Sequence, residues 1–140
     1  MRGHAVWMAG IIAVLSLGVI VADPQPPEAA RFALPAFKPV QPVAQIMEGQ
    51  DLLLNGVKFA VKNGKWSDAI AQAWVLAELG NVNTQHARDG QYAEFARAMS
   101  DASSELARTL MKKNVDEAKK GISAVAARCE ACHQKYAEEK

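Results

Sequence analysis

An all-α fold, an up-down-up-down bundle of four helices, is what this sequence predicts, and three observations predict it. From Val43 onward the apolar residues recur at steps of three and four, the period of a single helix face. That period breaks at Asn63-Gly64, Asp89-Gly90 and Asn114, each a stop, turn or cap signal. All six prolines fall between Pro24 and Pro42, so nothing downstream forces a helix to end.

The elements follow in chain order. Residues 1–22 read as a signal peptide or an N-terminal membrane anchor: Arg2 gives a positive start, Ala5 to Ala22 is apolar or small apart from Ser16, and Ile20-Val21-Ala22 resembles a cleavage site. The run is also at the lower limit for spanning a bilayer, so both readings stand. Residues 23–42 form a proline-rich linker, because proline fixes φ and removes a backbone donor. Phe32, Leu34 and Phe37 are expected to lay part of it against the folded body.

Residues 43–140 form the bundle. Val43, Ile46, Met47, Leu53, Leu54, Val57 and Val61 share one face of a first helix, over about 42–63, with Pro42 suited to its first turn. Ser67 is the expected N-cap of a second helix running to about 87, on which Ile70, Ala73, Trp74 and Ala77 keep the period. Gly80, Asn81 and Asn83 weaken its second half, where an early end or a bend is expected. Tyr92, Phe95, Ala96, Met99, Leu106 and Leu110 mark a third helix, closed by Lys112 and Lys113. Asn114 with Glu117 makes a start like a capping box for the fourth, whose inward stripe is Val115, Ala118, Ile122, Val125, Cys129, Cys132 and Tyr136.

Composition narrows the functional classes. From Asp23 onward 15 basic residues balance 15 acidic ones, which gives no support to nucleic-acid binding. Of the 98 residues from Val43, 18 are alanine, including Ala73, Ala77, Ala96 and Ala118 on inward faces. Either the interior is underfilled and awaits an apolar cofactor, or alanine lets helices approach closely.

The chemistry concentrates in Cys129-Glu130-Ala131-Cys132-His133, which holds the only two cysteines. C-x-x-C-H is the spacing of covalent c-type haem attachment. On a helix, i, i+3 and i+4 project from one face, so two thiols can meet the two vinyl groups of one haem while the imidazole reaches its iron. A disulfide oxidoreductase carries C-x-x-C at the start of a helix after a strand, and no strand pattern precedes this one. A structural zinc site needs four ligands, and outside the leader only His86 could add to these three.

Four helices with C-x-x-C-H in the last, preceded by Arg128 and followed by Tyr136, behind an export signal, resemble the class II c-type cytochromes, the family of cytochrome c′ and its methionine-ligated relatives. The resemblance covers about residues 43–140. It departs from the family in Ala137, where a basic residue often stands, and in a shorter bundle. It implies one haem c per chain, Cys129 and Cys132 as thioethers, His133 as proximal iron ligand, and a periplasmic location.

The sixth iron position decides what such a haem does. The candidates outside the leader are Met47, Met99, Met111 and His86. In the methionine-ligated relatives the ligand comes from the start of the first helix, and Met47 matches it. With Met47 bound, the resemblance implies one-electron transfer and no substrate turnover, with an unidentified redox protein as partner. With the position open, it implies binding of a diatomic gas such as NO or CO, as in cytochrome c′. Lys112, Lys113, Lys119, Lys120, Arg128 and Lys135 are either a basic rim that steers an acidic partner or a solvated surface. Many relatives dimerise through the first two helices, which makes Trp74 and Leu76 candidates for a homodimer contact.

Overall fold

Pro42 leads straight into the first helix, its fixed φ suited to a helix start and its carbonyl accepting the Ile46 amide at 3.2 Å. This helix, α1, spans Val43–Lys62. The structure, a computed structural model, describes residues 37–137. The apolar leader, and residues 23–36 of the linker with Phe32 and Leu34, lie outside the described residues. Phe37 is 64% exposed, so at this position the linker does not lie against the bundle as expected.

The end of α1 follows its sequence. Gly64 adopts φ +66, the Lys65 amide donates to the Ala60 carbonyl at 2.9 Å, and the Gly64 amide donates to Val61 at 3.2 Å. These bonds satisfy carbonyls that the helix end would orphan, and glycine enters the left-handed region without a Cβ penalty.

Helix α2, Trp66–Asn83, begins one residue before the expected cap; Ser67 lies inside its first turn and Lys65 precedes it without a side-chain cap bond. It also stops short of residue 87. The Thr84 hydroxyl donates to the Asn81 carbonyl at 2.7 Å, the chain tightens into a 3-10 turn at Thr84–His86, and Ala87 leaves helical geometry at ψ 125. Helix α3, Gly90–Leu110, is capped by Asp89, whose Oδ1 accepts the Tyr92 amide at 2.7 Å. Helix α4, Val115–Tyr136, is capped by Asn114, whose Oδ1 accepts the Asp116 and Glu117 amides at 2.9 and 3.1 Å. The Glu117 carboxylate does not close the capping box; it pairs with Lys112 at 3.4 Å.

Successive helices pack along their lengths, in an all-α four-helix bundle with up-down-up-down order, whereas α1 and α4 meet at only a few points. The described core includes Val57 of α1, Leu76 of α2, Leu106 and Leu110 of α3 and Val125 of α4. Two positions on the expected faces differ. Val115 is 45% exposed, in the first turn of α4. Trp74 is 40% exposed and carries the Arg108 guanidinium 5.9 Å from its ring centre, while Leu76 is fully buried. Leu76 is therefore core, and its burial removes it from any contact with a second copy.

Small residues set the spacing of α2. Its buried face carries Ala69, Ala73, Ala77 and Gly80. A Cβ on Gly80 would lie 2.9 Å from the Ser100 nitrogen and 2.8 Å from the Met99 sulfur. Here the α2 and α3 backbones nearly touch, and the Ser100 hydroxyl donates to the Ala77 carbonyl at 2.9 Å. Ala73 and Ala77 thus permit close approach. We expect Gly80→Ala to lower unfolding stability by about 1–3 kcal/mol through overpacking, read from denaturant midpoints. Gly90→Ala, with no atom within 4 Å of the added carbon, serves as the control that is not destabilised by crowding.

Candidate cofactor site

Where α1 and α4 stand apart, a cleft of about 400 Å³ opens, with α3 and Asn83 completing its walls. Helix α4 contributes Cys129, Cys132 and His133, so all three residues of the motif line one cavity. Both cysteines are half-buried free thiols, and His133 is exposed at the cleft's edge. Helix α1 contributes Met47, Gln50, Leu54 and the charged Asp51 and Lys58; α3 contributes Phe95, Ala96 and Met99. The size falls within the range of small-molecule and cofactor pockets, roughly 300–1,000 Å³. Ala96 and Ala126 line this cleft with small side chains.

Burial pushes both thiols above their ordinary range, and for Cys129 the Asp51 carboxylate adds to the rise. Cys132 is raised further by Cys129. The pair lies deep inside α4, away from the helix N-terminus that lowers thiol pKa values in disulfide-exchange enzymes. Neither shift favours the thiolate that disulfide exchange uses.

The four candidate sixth ligands separate in space. Met47 and Met99 line the cleft, whereas His86 and Met111 do not. Met111 is 54% exposed beyond the end of α3. His86, expected to be exposed, is half-buried on the 3-10 turn with its Nε2 buried and without a hydrogen-bond partner. Met99 is committed to packing: it is buried, lies against Gly80, and both its carbonyl and its sulfur face the Ser103 hydroxyl, at 2.9 and 3.7 Å. Met47 is half-buried on the opposite wall from α4.

The C-terminal end of α4 is fixed one turn beyond His133. The Tyr136 hydroxyl donates to both oxygens of Asp89, at 2.9 and 3.1 Å, and its ring meets Tyr92 edge-on at 5.2 Å and Phe95 at 6.1 Å. The Arg88 guanidinium lies 5.7 Å from the Tyr92 ring centre and 5.4 Å from that of Tyr136. The Tyr92 hydroxyl donates in turn to Asn83 Oδ1 at 2.9 Å, and Lys135 bonds to Gln91. Burial pushes the Tyr92 hydroxyl above its usual pKa. One carboxylate therefore caps α3 and ties down α4 together, which holds Cys132 and His133 against the cleft.

Sequence reasoning read Asp89 only as a turn and missed Gln50 and Asn83. Gln50 had a signal, since it lies four residues from both Ile46 and Leu54 on the buried stripe of α1. Of the six basic residues read as either a steering rim or a solvated surface, Arg128 alone lines the cleft, beside Asp51, Lys58 and Glu130. The rim is thus mixed in sign. Among the described residues no three His, Cys, Asp or Glu side chains are grouped to hold a bare metal ion. An iron held in a tetrapyrrole asks the protein only for axial ligands.

The chain matches no protein-family model, no curated protein and no solved structure to which it was compared. Among the described residues no helix is long and apolar enough to cross a membrane.

The Tyr92 amide, then the Tyr136 hydroxyl, then Lys135 hold the Asp89 carboxyl below its ordinary pKa. A carboxyl whose folded value is depressed stabilises the fold above its unfolded value, and that contribution is lost as pH falls through the folded value. Thermal melts should therefore show stability falling on acidification below the normal carboxylate range, and Asp89→Asn should flatten that part of the profile while lowering the melting temperature at neutral pH.

Proposed function

We propose that the protein carries one covalently bound haem c in the α1/α4 cleft and transfers single electrons outside the cytoplasmic membrane. The observation that carries this reading is the convergence on one cavity of Cys129, Cys132 and His133 from α4 and Met47 from α1. The residues fit the group: two thiols three positions apart for its two vinyl side chains, an imidazole next in sequence for the iron, and a thioether on the facing helix. Leu54, Phe95, Ala96 and Ala126 supply apolar walls for a flat hydrophobic ring.

The haem supplies the redox-active iron, and the chain's residues set the conditions under which it works. Cys129 and Cys132 would hold the ring edge to a helix whose end is fixed by Tyr136 and Asp89, so the His133 imidazole has little freedom to swing away. Met47, mounted on the opposite helix, would supply a second protein ligand to the iron. With ligands carried by two packed helices the site would change shape little between oxidation states, which would favour electron transfer over substrate chemistry. The apolar leader of residues 1–22 supports export, and covalent haem attachment in exported proteins agrees with it.

The redox partner is best sought among proteins whose docking does not depend on a strong positive field, because the cleft rim mixes Asp51 and Glu130 with Lys58 and Arg128. Binding of NO or CO at an open sixth position is the competing outcome of the same test.

Protein produced with a haem-maturation system should show one haem per chain by intact mass and a pyridine haemochrome spectrum of thioether-linked haem; a bare polypeptide overturns the proposal. The reduced spectrum should be low-spin, and Met47→Ala should turn it high-spin, open it to CO and lower the reduction potential, since a methionine ligand raises it. Rapid CO binding by the unaltered reduced protein would instead favour the gas-binding reading.

A further inference from the structure

Among the described residues three buried side chains are polar: Gln50, Asn83 and Ser103. Two of them, Gln50 and Asn83, line the cofactor cleft. Asn83 and Ser103 have their partners, Tyr92 and the Met99 carbonyl. Gln50 is 7% exposed, and its Nε2 is buried with no acceptor.

A buried amide nitrogen that has lost its water without gaining an acceptor is penalised, and native proteins rarely leave one so. None of the acceptors that line the cleft with Gln50 bonds its Nε2: the Asn83 Oδ1 takes the Tyr92 hydroxyl, the Met99 sulfur faces Ser103, and Asp51, Glu130 and Gln134 make no bond to it. Gln50 sits three residues after Met47, on the same face of α1 and one helical turn along it, at the cavity where Cys129 approaches from α4.

We propose that Gln50 is a positioning residue for the cofactor: its carboxamide donates a hydrogen bond to an acceptor that the haem brings to the Met47 side of the cleft, and thereby favours the reduced form. The inference rests on the haem reading given above. Its physical basis is the sign of the dipole. A carboxamide that turns its N–H end towards a redox centre from a buried position places partial positive charge where an added electron resides, and the surrounding low dielectric screens that interaction only weakly. The side chain is neutral, so it exerts this bias without the cost of burying an unpaired charge.

The test is a potentiometric titration of haem-loaded protein, unaltered and as Gln50→Leu, which keeps the volume nearly constant and removes the donor. The expected result is a shift of about tenfold towards the oxidised form at fixed potential, equal to a fall of about 59 mV for a one-electron couple, with the low-spin spectrum retained. Equal potentials for the two proteins, as would follow if a trapped water alone satisfied Nε2, overturn the inference.

Should Gln50→Leu fail to fold or mature, the unaltered reduced protein decides. Its Gln50 side-chain amide protons should exchange slowly and resonate far from ordinary carboxamide positions because of the adjacent ring current, and ordinary shifts with fast exchange overturn the inference. The two proposals fail separately. Unaltered protein without covalent haem removes the functional reading, whereas protein with haem and an indifferent Gln50 removes only this one.

Discussion

The near-contact of the α2 and α3 backbones at Gly80 and Ser100 is the constraint on which the rest of the bundle depends. The inner face of α2 sets the small residues Ala69, Ala73, Ala77 and Gly80 beside the larger Leu76 and Asn83. The small face draws α2 onto α3, and larger residues such as Val57, Leu76, Leu106 and Val125 fill the centre. What is left over is the seam between the first and last helices. The cleft is therefore a consequence of uneven side-chain size around the bundle rather than of any gap in the helices themselves.

Into that seam α4 delivers its motif with little freedom of placement. Helical geometry puts Cys129, Cys132 and His133 on one side of a single turn. Rotation of that side towards α1 and α3 is fixed by the burial of Ala118 and Val125 above it and by Tyr136 below it. Tyr136 is the more informative anchor, because its hydroxyl shares the Asp89 carboxylate with the first turn of α3. A cap that serves one helix thus registers another, and the candidate site lies immediately beside this junction.

Much of the fold was legible in the sequence. The cap Asn114 and the left-handed stop at Gly64 act as their residue types require, since each depends on a few neighbouring backbone groups, whereas Asp89, read only as a turn, also caps α3. The misplacements were Ser67, the far end of α2, Val115, the faces of Trp74 and Leu76, and the burial of Phe37 and His86. The end of α2 turns on a local competitor, the Thr84 hydroxyl bonding the Asn81 carbonyl, whereas the face of Trp74 turns on a distant one, Arg108 of α3, which covers a tryptophan that periodicity alone had turned inward. The motif was legible because its spacing is local, whereas Gln50 passed unnoticed because a polar residue on an apolar stripe has meaning only once its surroundings are known.

By itself, then, the sequence determined that there are four helices, close to where they start, and that one turn of the last carries two thiols and an imidazole on a common side. These are matters of local hydrogen bonding and of the 3.6-residue period. Only the tertiary structure decided that Met47 and Met99, and not His86 or Met111, share a cavity with that turn, and that an amide without an acceptor waits beside Met47. The physical reason is that the width of each seam is set jointly by side chains on two helices far apart in the chain, a quantity that no single helix face contains.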